Sequence, residues 1–443
     1  SDARAQPSRD THERSDGRGR DSRGSDARPD ARPDARPDAR PEKGRDESAR
    51  DERDDRGRSR SRGRSRSEHD ELEIRGGVLD LLPEGYGFLR TSGYASGPKD
   101  VYVSQSYVRR FNLRRGDLLG GPVRFNKGND KFPALARLET CEQQEVVNEH
   151  DPILRDRDAF EELTPVFPDV RINLERKGGP EAVRVLDLVA PIGRGQRALV
   201  IAPAMAGSTT LVRQLAQAIE ASDSQLHVMV VLVDERPEEV TDLKRAIEGE
   251  VIATTFDQPA EDHTAVAELA VERAKRLVER GHHVVVLLDS ITKLARAYNH
   301  TLHGSGKVLE GGIDAGALHA PKKVFGAARA IEGGGSLTMI ATARSDSGSR
   351  MDEVILEELA GAGNMQVRLI DGPTPGGFPS VDPTRSGTRR DELLRDGAEL
   401  EAIWERRQAW SQMKPAAALG DLLDGFAGHE ANASYLASLD SSG

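Results

Sequence analysis

Three stretches hold residues whose chemistry can be named at once. Pro203-Ala204-Met205-Ala206-Gly207-Ser208-Thr209-Thr210 joins an apolar run, Ala198 to Ala202, to a helical one, Leu211 to Ile219. A compact turn from a strand into a helix N-terminus aims backbone N–H groups at an anion. The pattern for such a phosphate loop is Gly-Lys-Ser/Thr, in which the ammonium neutralises the outer phosphates of a nucleotide and the hydroxyl holds Mg²⁺. Here Gly207 is followed by Ser208, so the loop alone reads better as a plain strand-to-helix turn than as a phosphate loop. Its neighbours add weight. Val284 to Leu288 ends in Asp289, the placement of a carboxylate that reaches a nucleotide-bound Mg²⁺, and Val228 to Val233 runs into Asp234-Glu235-Arg236-Pro237-Glu238-Glu239. Ligands of parallel α/β sheets gather at the carboxyl ends of strands, so three such endings point to one nucleotide crevice.

The elements that must position these residues are legible in the same pattern. The runs above and Leu337 to Ala343 are short and rich in Val, Ile and Leu, as buried parallel strands should be. Between them lie helical stretches such as Glu261 to Arg280, whose Val266, Leu269, Ala270, Ala274 and Leu277 fall on one face. This predicts a βαβ-type domain over 183–418, followed by a C-terminal tail over 419–443. Upstream, Gly77 to Leu82, Tyr86 to Arg90, Asp100 to Val103 and Val123 to Phe125 are short runs punctuated by glycine, which predicts a small all-β barrel over 71–146. The charged stretch 147–182 reads as a connector. Residues 1–70 contain no Leu, Ile, Val, Met, Phe, Tyr or Trp and repeat Ala-Arg-Pro-Asp over 27–41, so they cannot build a core and read as a disordered tail. That tail is either an RNA-contacting arm or a solvated polyampholyte spacer.

The tail carries 20 Lys and Arg against 18 Asp and Glu, a net +2 in a chain of −11, which leaves 71–443 at −13. An acidic folded part argues against a general nucleic-acid coat and confines any such site to a local patch or channel. A single cysteine, Cys141, permits no intrachain disulfide and no cysteine cage for a metal, and suits a cytoplasmic compartment. No stretch approaches 18 consecutive apolar residues, so no membrane span is expected.

Asp187-Leu188-Val189-Ala190-Pro191-Ile192-Gly193-Arg194-Gly195-Gln196-Arg197, the segment Asp234 to Val240, Leu287 to Thr292 and Arg385-Ser386-Gly387-Thr388-Arg389 closely resemble the bacterial transcription termination factor Rho family. The resemblance runs from about Gly77 to Arg390. It implies an oligonucleotide-binding (OB-fold) barrel ahead of a RecA-like ATPase domain, a homohexameric ring, and RNA-dependent ATP hydrolysis coupled to 5′-to-3′ RNA–DNA helicase action, with single-stranded RNA and the RNA polymerase elongation complex as partners. ATP and Mg²⁺ would be the nucleotide and ion. Residue by residue, it makes Glu235 the general base and Arg389 an arginine finger reaching the neighbouring subunit. Arg236, Gly193 to Ala198 (with Arg194, Gly195, Gln196 and Arg197) and Met205, Ala206, Gly207, Ser208, Thr209 and Thr210 become nucleotide contacts, with Thr209 and Asp289 at the metal. Tyr86, Phe88, Arg90, Asp100, Tyr102 and Phe132 become the barrel's base pocket, where rings stack on unpaired bases. Read from the residues alone, those aromatics are better taken as barrel core, and Arg109, Arg110, Arg114 and Arg115 as a basic rim or merely a soluble face. The loops Gly304 to Leu309, with Lys307 and Val308, and Asp346 to Arg350 would line the ring's channel.

The departures bear on function. The family loop reads Ala-Pro-Pro-Lys-Ala-Gly-Lys-Thr, whereas this chain has Met205 and Ser208 at the two lysine positions. The family's basic run before Phe378 is replaced by Ile370-Asp371-Gly372-Pro373-Thr374-Pro375-Gly376-Gly377. Three readings follow: an RNA-binding ring with impaired hydrolysis, a fully active RNA-dependent ATPase and helicase, or a non-enzymatic subunit that joins a normal Rho in a mixed ring. His300 and His303 lack a third ligand for zinc, and Glu357-Glu358 reads as a solvated helix face.

Overall fold

A computed structural model describes residues 73–125, 131–302, 304, 306–372 and 379–440. The tail reading of 1–70, His303, Ser305 and the greater part of the turn-rich segment before Phe378 lie outside the described residues.

Chain alternation builds the first domain. Strands β1 (Ile74–Leu81), β2 (Gly87–Arg90) and β3 (Val101–Val103) are followed by a short helix α1 (Gln105–Arg110), then β4 (Leu118–Arg124), β5 (Ala134–Leu135), β6 (Thr140–Cys141) and β7 (Gln144–Glu145). β1 pairs with both β2 and β4, and β2-β3-β5-β4 pair in series, so five strands close into a barrel. Closure leaves no free edge among them. Every second residue turns inward: Leu79, Leu89, Val101, Val103, Leu119 and Val123 form its core. Phe88, Arg90 and Tyr102 take the alternate positions and stay half-buried on the outer face.

The stretch between the domains is not bare chain. It holds helix α2 (Pro152–Arg155) and strands β8 (Pro165–Val166) and β9 (Arg171–Ile172), each of which pairs with a later strand.

The second domain alternates as its apolar runs predict: α3 (Glu181–Val189), β10 (Ile192–Gly193), β11 (Arg197–Ala202), α4 (Ser208–Ser222), β12 (Leu226–Glu235), α5 (Pro237–Ala246), β13 (Glu250–Thr255), α6 (Ala260–Val278), β14 (His283–Asp289), α7 (Ile291–Thr301), α8 (His319–Gly326), β15 (Arg329–Ile331), β16 (Ser336–Arg344), α9 (Arg350–Ala360), β17 (Met365–Arg368) and β18 (Gly387–Thr388). The sheet order is β13-β12-β14-β16-β11-β17-β18, parallel from β13 to β17. Alternate residues of one strand feed opposite faces. Ala198, Val200 and Ala202 pack with α3 and α4, whereas Leu199 and Ile201 pack with α6 and α7. Burial of both faces explains why these strands read as continuous apolar runs.

Residues 419–440 differ from the expected tail. Helices α10 (Gly397–Trp410), α11 (Pro415–Phe426) and α12 (Asn432–Asp440) close the chain, and Leu419, Leu422, Phe426, Tyr435 and Leu436 are buried in the α3/α4 core. The spacing Leu419, Leu422, Phe426 is an apolar stripe of helical period, and burying it is what orders the segment. No helix of the described residues is long and apolar enough to cross a membrane.

Candidate functional site

The strand order β12-β14-β16-β11 brings four carboxyl ends to one rim, and a cavity of about 680 Å³ opens there. Its walls include Ala202 to Met205 and Gly207 to Thr210 of the loop, Asp234, Glu235 and Arg236 at the end of β12, Asp289 at the end of β14, and Thr342 to Arg344 at the end of β16, while Ala206 is buried behind the loop. The loop enters α4 through Gly207, whose φ of 89° suits glycine and turns the chain sharply. No side chain caps the first turn of α4. Its free N–H groups and the positive end of the helix dipole therefore face the cavity, as an anion site requires. Met205 stands at the loop tip with a positive φ of 64° and is 95% exposed.

At the floor, Asp289 is 4% exposed and takes a hydrogen bond on each oxygen, from Thr209 Oγ1 at 2.7 Å and from Thr342 Oγ1 at 2.6 Å. A carboxylate flanked by a hydroxyl at a helix start is an oxygen donor set that fits Mg²⁺. Glu235 is held from two sides: Lys293 Nζ donates to its Oε2 at 2.6 Å, and the backbone N–H of Arg236 to its Oε1 at 3.1 Å. Lys293 also donates to the carbonyl of Asp234 at 2.9 Å. His263 backs this strand end: its Nδ1 lies 2.8 Å from Thr254 Oγ1 and its Nε2 4.0 Å from Asp234 Oδ1, and burial pushes the imidazole below its usual pKa. Lys293, Thr342 and His263 escaped the sequence reading. Lys293 follows Asp289 by one helix turn, a position open to inspection once the strand end is suspected; the other two meet the site only through sheet register and helix packing.

Gly193, Arg194, Gly195, Gln196, Arg197 and Ala198 stand apart from this cavity. Within the chain they run from the end of β10 through a turn to the amino end of β11, five to ten residues before the phosphate loop, and none lines the cavity. They tie the sheet together instead. Arg194 pairs with Asp223 at 2.5 Å, the Gly195 N–H donates to Thr338 Oγ1 at 2.8 Å, Gln196 donates to Asn364, and Arg197 donates to the carbonyls of Ala328 and Ala362. Arg389 also lies away from its own cavity. It is exposed just beyond β18 at the sheet's far edge, with its N–H on the carbonyl of Asn364 at 2.8 Å.

The barrel assembles a second constellation. Phe88 is the hub of a ring cluster, 6.0 Å from Tyr86, 5.9 Å from Tyr102 and 5.1 Å from Phe132, each edge to face. The cluster lies outside the buried core, so the reading of these rings as core is set aside. Arg90 stands over Phe88 at 5.6 Å and is fixed by Asp80 at 2.6 Å and Asp100 at 2.7 Å; Lys131 stands over Phe132 at 5.2 Å. The half-buried rings present a stacking surface with Lys131 as a phosphate partner at its edge, while Arg90, held by both carboxylates, braces Phe88. Arg110 and Arg114 are engaged with Glu149 and Glu279, and Arg115 bridges Asp80 to Glu268 on α6. That makes these arginines struts more than a rim.

The two further loops are joined to each other. Arg350 pairs with Glu310 at 2.5 Å and with Glu353 at 2.7 Å, hydrogen bonds that hold its guanidinium above the usual range. Lys307 and Val308 are exposed, and Val308 bridges to Asp314. A cluster of Asp117, Cys141 and Glu142 has the look of a metal site, yet Arg157 and Arg273 already neutralise its carboxylates at 2.5 and 2.6 Å.

Residues 75–147 match the family described as Rho termination factor, RNA-binding domain, and residues 182–387 match the ATP synthase alpha/beta family, nucleotide-binding domain. The chain is 48% identical over 356 residues to the transcription termination factor Rho of Haemophilus influenzae, which spans 79% of this chain and 83% of that protein. The chain belongs to the transcription termination factor Rho family. Rho of Escherichia coli is 50% identical over 338 residues, 75% of this chain and 80% of its own length. Against Rho of Streptomyces lividans the identity is 50% over 374 residues, 84% of this chain but 52% of that one, so the chain spans about half the length of this longer relative.

Proposed function

We propose that this chain is an RNA-binding and nucleotide-binding Rho-family protein of transcription termination that turns ATP over slowly. The observation that carries the reading is the phosphate loop: its geometry is that of an anion site, yet Met205 and Ser208 put no cation there. Thr209 and Asp289 would hold Mg²⁺, which when bound draws charge from the outer phosphate oxygens. Glu235, fixed by Lys293, would orient the attacking water. Without a loop ammonium the charge that builds on the transferred phosphoryl group has one fixed partner fewer, and losing such a partner typically costs about 10²–10³ in rate. Single-stranded RNA would stack on Tyr86, Phe88, Tyr102 and Phe132, and the loops bearing Lys307, Val308 and Arg350 would meet RNA in the channel of a ring. The cytoplasm and the RNA polymerase elongation complex are the setting this reading expects.

One observation favours a mixed ring as the second reading. Arg389 is exposed and stands outside its own cavity, where it could serve a neighbouring subunit's site even if its own is silent. RNA-stimulated ATP hydrolysis tests both readings. The unaltered chain should turn over slowly, and Ser208→Lys with Met205→Lys should raise the rate by about 10²-fold if the remaining site is sound. Turnover by the unaltered chain at the rate of a lysine-bearing Rho overturns the first reading. Titrating a lysine-bearing Rho with this chain and with its Arg389→Ala variant tests the second, which fails if the two mixtures hydrolyse alike.

A further inference from the structure

A polyphosphate needs fixed positive charge, and the cavity has cations even though its loop has none. Arg236, Lys293, Arg296 and Arg344 all line it. Two are already engaged inside the chain: Lys293 with Glu235 at 2.6 Å, and Arg296 with Asp352 at 2.6 Å. Arg213, one turn into α4, is held by Asp242 at 2.7 Å. That leaves Arg236 and Arg344, whose guanidinium groups have no hydrogen bond or ion pair among the described residues.

Their positions differ. Arg236 follows β12, which the order β12-β14-β16-β11 separates from the loop strand by two others. Arg344 ends β16, the strand directly between Asp289 on β14 and the loop on β11. It stands in parallel register with Ala202, where the loop begins, and the next residue's N–H, that of Ser345, donates to the Ala202 carbonyl at 2.9 Å. Residues two apart in a strand share a face, and two before Arg344 comes Thr342, whose hydroxyl touches Asp289 at 2.6 Å. The Arg344 backbone is itself pinned, its N–H donating to Thr292 Oγ1 at 3.0 Å. A fixed backbone therefore presents an uncommitted guanidinium between the metal-type carboxylate and a loop without lysine.

We infer that Arg344 is the phosphate-binding cation of this site, placed on β16 in the role that the loop's own residues leave open. This rests on the nucleotide reading above. The ligand class is a nucleoside di- or triphosphate: a planar guanidinium can bond two oxygens of the outer phosphates, whereas a monophosphate carries neither outer group. The site would then bind ATP and still hydrolyse it slowly, because charge supplied from the neighbouring strand is not aligned by the loop that wraps the phosphates.

The test is a titration of the full chain with ATP, ADP and AMP in Mg²⁺. Arg344→Ala should weaken ATP and ADP by about tenfold to a hundredfold, the range of a charge-assisted hydrogen bond, and leave AMP unchanged. Arg344→Lys should retain part of the affinity. Ser208→Lys added to Arg344→Ala should restore ATP binding, and in that background residue 344 should no longer matter. An Arg344→Ala chain that binds ATP like the unaltered protein, or that loses ATP and AMP alike, overturns the inference while the nucleotide reading stands. An unaltered chain that binds none of the three removes the nucleotide reading itself, before any variant is made.

Discussion

Replacing Tyr86 and Phe88 by leucine tests whether the barrel's outer rings are a base platform. Alanine would be the wrong choice. The rings touch one another and Tyr102 and Phe132 at centroid distances of 5.1 to 6.0 Å, and each aromatic pair contributes about 0.5–1.5 kcal/mol beyond area burial. Truncation to alanine would remove the half-buried bulk of both side chains as well as these pairs and confuse folding with binding. Leucine keeps most of the apolar bulk and removes the π faces. Stacking on a base is worth about 1–3 kcal/mol per ring, so losing two predicts about 2–6 kcal/mol. At 1.4 kcal/mol per tenfold this is a weakening of roughly 30-fold to 10⁴-fold. Fluorescence anisotropy with a labelled single strand of about 12 nucleotides, within the usual span of such a barrel, would measure it at several salt concentrations. The salt slope should not change, because Lys131 remains and the slope counts phosphate contacts. A double variant that unfolds like the parent and binds RNA with unaltered affinity refutes the platform; one that binds weakly only through a reduced slope shows that the cations, not the rings, hold the strand.

Other consequences follow from the contacts between barrel and ATPase-type domain. Arg90, beside Phe88, bonds Asp80; Asp80 bonds Arg115; Arg115 bonds Glu268; and Glu268 accepts from Tyr298 of α7, the helix that begins beside Lys293. Glu268→Gln should leave RNA affinity unchanged without nucleotide but shrink the effect each ligand has on the other's affinity, equally in both directions; undiminished coupling excludes the relay. Gly116→Ala should loosen the docked barrel and lower the melting temperature, since φ is 89° and a Cβ would come within 2.5 Å of the Glu272 carbonyl carbon on α6. The left-handed conformation alone costs about 1–2 kcal/mol there, and an unchanged transition would contradict the contact. His263 is held below its ordinary 6.5 by burial, more than Asp234 and Asp262 can offset. Its contribution to stability is therefore fully present above pH 6.5 and lost as pH falls toward the folded value. Denaturation midpoints should fall with pH in that window, and less so in His263→Gln; equal slopes in both chains exclude His263 as the cause.

The fold was largely legible because both periodicities are clean. Ala198 to Ala202, Val228 to Val233 and Val284 to Leu288 are apolar on both faces since helices cover both, and β11, β12 and β14 contain them. The acidic strand ends could be placed together by topology alone. Three things were not legible. Edge strand β13, Glu250–Thr255, has only two buried residues and so no apolar run to announce it. Leu419, Leu422 and Phe426 have helical spacing, but short polar segments beside them hide that they cover the α3/α4 core. Arg344 and Thr342 join the site through parallel register with residues more than fifty positions away, and no local pattern carries that information.

The same distinction explains how the cavity keeps its shape without a lysine in its loop. Asp289 is satisfied by Thr209 and Thr342, and Glu235 by Lys293 and a backbone N–H, all within the chain. None of these bonds needs a lysine in the phosphate loop. A lysine at the first position of α4 would instead oppose the helix dipole, at a cost of about 0.3–1 kcal/mol until an anion arrived. Folding therefore exerts no demand for the loop ammonium, and only phosphate chemistry does. Ser208→Lys should accordingly lower the melting temperature slightly without nucleotide and raise it above that of the parent with ATP bound, a crossing that scanning calorimetry with and without ATP would display. A variant stabilised equally in both conditions would mean that position 208 does not face phosphate at all.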